Sequence, residues 1–289
     1  MSIKTLLAIL DPKASNNVLL DTACWFSAEC KARLDVLLPY PQLWSPNVIS
    51  VADELARERV VEIEEQAREI EASLGRQLRG EFEATCIRFG VAVANGATPE
   101  LPYARWFAVS GFDRGCRTVD RAKLADLVLA RRSDAETGEG YENLVGLVLR
   151  GSGRPVMILP PAYERSVHAR IAIAWNGSTE SVRAVTAARD FLDGANTVDV
   201  ITAESDRTEA ATAERVIRYL GCHGIEARKH VLAKGRNRVV GESVLDKCYE
   251  LASDLLVMGG TTHNRWRELS YGGVTRHMLS HAELPVLMG

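Results

Sequence analysis

The chain repeats itself. Lys4-Thr-Leu-Leu-Ala-Ile-Leu-Asp11 has a counterpart in Ala169-Arg-Ile-Ala-Ile-Ala-Trp-Asn176, each an apolar run ending in a carboxylate or its amide before a turn and a helical pattern. Arg33-Leu-Asp-Val-Leu-Leu38 matches Thr197-Val-Asp-Val-Ile201, and Ala125-Asp-Leu-Val-Leu-Ala130 matches Ser253-Asp-Leu-Leu-Val-Met258. Arg154-Pro-Val-Met-Ile-Leu159 matches Leu284-Pro-Val-Leu-Met288. The same order of segments in both halves identifies a tandem duplication. Length agrees, since 289 residues make about two domains at ~150 residues each.

The second copy, about 166–289, is the cleaner. Five strands are expected over 169–175, 197–203, 226–232, 254–258 and 285–288, alternating with helices. Val182, Val185, Ala188 and Leu192 share one helical face, and Val216, Tyr219 and Leu220 another, with Gly221 and Gly224 at the second helix's exit. Alternation of short buried strands with helices implies a parallel sheet with right-handed crossovers. The first copy, 1–162, is longer because Ser45-Pro46 opens an extended helix over about 45–89, ending at Gly90. Its apolar stripe is Ile63, Ala67, Ile70, Leu74 and Leu78, suited to packing on the sheet or the other domain, or to a coiled-coil partner. Val91 to Pro102 reads as an irregular loop, and Pro160-Pro161 as a stiff linker.

Composition excludes several classes. Lys and Arg number 35 against 38 Asp and Glu, a net charge of -3 that disfavours a nucleic-acid partner. The early apolar run Leu6–Leu10 is too short for a membrane span or a secretion signal, so a cytoplasmic protein without a membrane partner is expected. The six cysteines are scattered and read as reduced, mostly buried packing residues. No nucleophile elbow, Walker-type Gly-Lys-[Ser/Thr] or dinucleotide fingerprint occurs, which points away from an enzyme.

Asp254-Leu-Leu-Val-Met-Gly-Gly260, Gly272-Gly-Val-Thr-Arg-His277 and Leu284-Pro-Val-Leu-Met288 resemble the universal stress protein family in its bacterial tandem two-domain form. Ala174-Trp-Asn-Gly-Ser178 and His263-Asn-Arg-Trp-Arg-Glu268 add to the likeness. The resemblance implies an α/β fold of two doubly wound parallel-sheet domains, strand order 3-2-1-4-5, of the adenine nucleotide alpha hydrolase type. It also implies pairing through the last strands, as an intramolecular pseudo-dimer or a homodimer.

ATP-binding members of that family carry G-x2-G-x9-G-[ST] after the fourth strand, where glycines admit phosphate oxygens to the backbone and a helix N-terminus offers N–H groups. Here the motif is partial: Gly259 and Gly272 hold its first and third glycine positions, Thr262 replaces the second, and Gly273 stands for Ser or Thr, with Thr275 near to supply a hydroxyl. The family's adenine-facing aspartate corresponds to Asn176, and Ala174 and Ala203 fall at other adenine contacts, with Val274 in the motif's last turn. His263 and Arg265, in the altered loop, are candidate anion contacts, and Trp175 is core filler or a pocket wall. In the first copy Arg131-Arg132 replace Gly259-Gly260, so Asp11 is expected to serve a turn and that site to be lost. His277 and His281, spaced i, i+4, could form half of a zinc site but fit a surface pair better, and the basic run Arg228, Lys229, His230, Lys234, Arg236, Arg238 could steer an anion or be a solvated face.

Three functional readings stay open. The first is a non-enzymatic stress-response protein with an ATP, AMP or anion pocket in the second copy, read by a protein partner. The second is a ligand-free interaction scaffold, and the third a slow nucleotide hydrolase.

Overall fold

The computed structural model describes residues 3–40, 54–94, 99–111, 113–132, 139–163, 169–203, 210–232, 240–260 and 273–289. In the first half the elements are β1 (Thr5–Ile9), α1 (Asn17–Cys30), β2 (Arg33–Pro39), α2 (Glu54–Phe89), β3 (Ala92–Val93) and β4 (Tyr103–Val109), then α3 (Arg114–Ala122), β5 (Leu127–Arg131), α4 (Glu139–Gly151) and β6 (Val156–Leu159). The second half has β7 (Arg170–Ala174), α5 (Thr179–Ala187), α6 (Arg189–Leu192), β8 (Thr197–Ala203), α7 (Ala210–Cys222) and β9 (Ala227–Leu232), then α8 (Val240–Glu250), β10 (Leu255–Met258), α9 (Gly273–His281) and β11 (Val286–Met288).

All strands join one 11-stranded sheet, ordered β3-β4-β2-β1-β5-β6-β11-β10-β7-β8-β9. The second half has the order 3-2-1-4-5, the first half has the same order with the two-residue strand β3 added at its edge, and every pairing within a half is parallel. The halves meet where β6 and β11 run antiparallel, Leu287 opposite Met157. Both faces of the central strands are covered, which is why those strands are continuous apolar runs rather than alternating ones. On one face α1, α2, α5, α6 and α7 enclose a core through Phe26, Phe82, Val185, Phe191 and Val216. On the other, α3, α4, α8 and α9 enclose Tyr141, Val148, Leu245 and Met278. Phe26 of α1 meets Phe191 of α6 edge-on at 5.9 Å, Gly260 lies against Leu149 of α4, and Arg132 donates to the Ser280 carbonyl, so side chains as well as the sheet bind the halves.

The likeness of the two halves reaches individual side chains. Asp126 Oδ2 accepts from Lys4 N and Thr5 N, each at 2.9 Å, and Asp254 Oδ2 accepts from Ala169 N at 2.8 Å and Arg170 N at 3.1 Å. Asp35 on β2 is gripped through two hydrogen bonds by Arg105 opposite it on β4, and Asp199 on β8 likewise by Arg228 on β9. His230 adds a third contact to Asp199 at 2.7 Å. Burial opposes ionisation of Asp199, but hydrogen bonds from Arg228 and His230 prevail and hold its carboxyl below the usual range. Asp126 is also lowered, its burial outweighed by bonds from Lys4 and Thr5. A depressed folded-state value means that stability is present above pH ~4 and is lost as pH falls through the folded value. The urea midpoint is therefore expected to drop between mildly and strongly acidic pH, and to drop less in an Asp126→Asn/Asp199→Asn variant; equal drops would remove these carboxylates as the cause.

Two sequence expectations change. Val91–Pro102 is not wholly a loop, because Ala92–Val93 forms β3 against Tyr103–Ala104 of β4. The stripe of α2 is buried at Leu78 and continues to Phe82 and Cys86, with Leu74 partly buried against the core, while Ile70 is 60% exposed and Ile63 lies outside the described side chains. The cysteines are free and mostly buried, as expected: Cys24, Cys30, Cys86 and Cys248 are buried, and Cys116 and Cys222 are exposed. Ser45-Pro46 lies outside the described residues. Gly224 closes the α7 exit with φ +78°, the left-handed conformation expected there. Among the described residues, no helix is long and apolar enough to cross a membrane.

Candidate functional site

In an open parallel sheet, ligands bind beyond the carboxyl ends of the strands where strand order reverses. This fold has two such points, between β1 and β5 and between β7 and β10. At the first, Asp11 is fully buried. Its Oδ1 accepts from Lys13 N at 2.9 Å, and its backbone is tied to Asn16 by bonds of 2.8 and 2.9 Å, so it shapes the turn into α1 as the sequence led us to expect. Asp11 Oδ2 lies 3.6 Å from Arg131 Nη1, and the Arg131 side chain is only 7% exposed. Tyr141 of α4 donates to the Ile9 carbonyl at 2.8 Å and accepts from Arg131 N at 3.2 Å. Burial pushes its phenol pKa well up, keeping it a neutral donor. A guanidinium, a carboxylate and a phenol from this chain thus occupy the first switch point.

At the second switch point the matched positions are Asn176 for Asp11 and Gly259 for Arg131. Asn176 is exposed, and its Oδ1 accepts from Ser178 N at 3.0 Å in the same kind of turn. Ser178 then caps α5, its Oγ accepting from Ser181 N at 3.2 Å. Gly259 needs its missing side chain for a reason the motif did not disclose: a Cβ there would stand 2.9 Å from Glu180 Cβ and from Ser181 N. The first turn of α5 is packed against the Gly259 backbone, so a glycine is required there whether or not a ligand binds. Ala174 is half-buried and sits beside Met258 in the β7–β10 register, and Ala203 ends β8. Gly273 opens α9 with none of the described residues within 4 Å of where its Cβ would stand, followed by half-buried Val274 and buried Thr275. Thr262, His263, Arg265 and Gly272 lie outside the described residues.

No family model matches this sequence, and no curated protein matches it. Solved structures do. A universal stress protein from Archaeoglobus fulgidus DSM 4304 superposes with a TM-score of 0.63 at 16% identity, over 99% of this chain and 98% of that one. A functionally unknown protein from Pseudomonas aeruginosa PAO1 gives 0.58 at 14% identity, over 99% and 92%. This chain has the universal stress protein fold. At such identity the fold is shared and the site residues are not transferred with it, so the switch points of the sheet mark where a ligand could sit and this chain's own side chains tell whether it can.

Elsewhere on this universal stress scaffold the charged candidates are engaged structurally. In the basic run, Arg228 and His230 hold Asp199, and Lys229 pairs with Glu214 at 3.1 Å; Lys234, Arg236 and Arg238 lie outside the described residues. His277 and His281 stack at 4.4 Å, and burial, then the neighbouring imidazole, lowers the pKa of His277. Among the described residues no group of three or more His, Cys, Asp or Glu side chains could hold a metal ion. Trp175 packs on the α5–α7 side of the sheet, whereas Ala174 faces the α8–α9 side, so the indole does not stand between β7 and β10.

Proposed function

We propose that this chain is a non-enzymatic, cytoplasmic stress-response protein of the universal stress class, with one adenine-nucleotide or anion pocket, in the second half, whose occupancy a protein partner reads. What carries the reading is the asymmetry of the switch points: Arg131, Asp11 and Tyr141 fill the first, while glycine and an exposed amide stand at the matched places of the second. Asn176 can accept from an adenine amine and also donate, and Gly273 leaves the start of α9 open to an anion. Calorimetry of the full chain with ATP and with AMP is expected to give one site per chain, weakened by Asn176→Ala. Absence of heat at millimolar nucleotide would overturn the pocket. The scaffold reading would then stand, favoured by the seating of α5 on Gly259 and by the exposed Ile70 and Ile87 of α2.

A further inference from the structure

A second site, unrelated to nucleotide, lies on the opposite face of the second half. α5 and α7 both pack on the sheet through buried Val185, Ala188, Ala213, Val216 and Leu220. By periodicity Val182 belongs to the same apolar stripe as Val185, and Tyr219 to that of Val216. Yet Val182 is 49% and Tyr219 46% exposed. They are the walls of a groove of about 270 Å³ between the two helices, floored by Trp175, Val185 and Val216, with Thr186 and Arg215 on its rim.

The duplication supplies an internal control. In the first half the same two helices, α1 and α2, pack directly on one another, with Cys24 Sγ 3.8 Å from Cys86 Sγ and Phe82 fully buried. α5 and α7 make no comparable contact. The matched helices thus meet in one copy and leave a groove between them in the other.

A cation on the lining distinguishes the groove from a packing defect. Trp175 lends the groove the apolar part of its indole, since its Nε1 is itself buried. Arg215, the sole ionised side chain of the lining, is exposed and makes no ion pair among the described residues. Hydrocarbon and aromatic walls, one cation and a volume just under the usual ~300–1,000 Å³ of ligand pockets together select a small ligand with an apolar body and one negative charge. We propose that the α5–α7 groove binds a small aromatic or branched monocarboxylate, its apolar part between Val182, Val216 and Tyr219 and its carboxylate toward Arg215. The site is independent of the nucleotide reading, because none of its lining residues lies at the switch point except Trp175, which faces away from it.

The test uses ¹⁵N-labelled full chain and 3-phenylpropionate as probe. The sequence has five tryptophans, so the indole N–H region is simple, and Trp175→Phe assigns the Trp175 signal. That signal is expected to move saturably at low-millimolar probe while the other indole signals stay. The neutral amide, 3-phenylpropanamide, should bind about tenfold more weakly, the effect of losing one charge-assisted hydrogen bond. Arg215→Gln should erase that preference without changing the amide's affinity, and Val216→Phe, which fills the floor, should abolish binding of both. Arg215 is a surface side chain, so its variant keeps the test open should Val216→Phe not fold. An unmoved Trp175 signal, equal binding of acid and amide, or an acid preference surviving in Arg215→Gln would each overturn the proposal.

Discussion

Replacing Arg131 with glycine, the residue at the matched place in the second half, is expected to destabilise the protein by about 3–5 kcal/mol, the cost of removing one partner from a buried ion pair. Asp11 is fully buried and Arg131 nearly so, 3.6 Å apart. Without the guanidinium, the fully buried Asp11 carboxylate must either stay charged or take up a proton, and both disfavour the folded state. The measurement is the urea midpoint at neutral pH. An Asp11→Asn/Arg131→Met variant, which removes both charges while keeping volume, should regain most of the loss, because buried pairs are worth little against apolar replacements of similar shape. Arg131→Gly is not expected to create a nucleotide site, since the Tyr141 hydroxyl still holds the Ile9 carbonyl. A loss under about 1 kcal/mol would show that the pair contributes no more than a surface one.

The exchange of Arg131 for Gly259 was legible in the sequence, because the repeat aligns Ala125–Ala130 with Ser253–Met258 and the next residue in each half follows. What the sequence could not tell is what fills the space that a glycine leaves. A glycine states only that a Cβ is not tolerated; phosphate and the first turn of α5 impose the same requirement, and here α5 lies 2.9 Å from where that Cβ would be. The strand β4 went unrecognised for a different reason. It follows an inserted 36-residue helix, which breaks the repeat spacing, and its Trp106, Phe107 and Ala108 are partly or fully exposed at the margin of the sheet, so it lacks the unbroken apolar run of an inner strand. A signal was nevertheless present: Arg105 stands to Asp35 as Arg228 stands to Asp199, and matching the two acids in the aligned segments would have asked where the first arginine lies. Periodicity likewise assigned Val182, Tyr219 and Ile70 to buried stripes. It reports which side of a helix is apolar, not whether a neighbour comes close enough to cover it.

Phe82→Ala is expected to cost about 3–5 kcal/mol, while Ile70→Ala, three turns earlier on the same helix, should change stability by no more than ~0.5 kcal/mol. Phe82 is fully buried, its ring 5.5 Å from that of Trp106 on β4, and one turn on Cys86 meets Cys24 of α1. That seam is where α2 is fastened, because Ile70 is 60% exposed and contributes little burial. Truncating the ring removes its transfer free energy and leaves a void that α1, held to the sheet by Leu19, Leu20 and Ala23, cannot collapse to fill. Urea midpoints would measure both costs, and amide exchange would locate them: protection should fall along the whole of α2 in Phe82→Ala and remain at its C-terminal turns in Ile70→Ala. A void opened between α1 and α2 would also reproduce, in the first half, the space between α5 and α7. If only position, and not Arg215, governs recognition there, the Phe82→Ala protein should bind 3-phenylpropionate at two places; if charge is required, it should still bind at one.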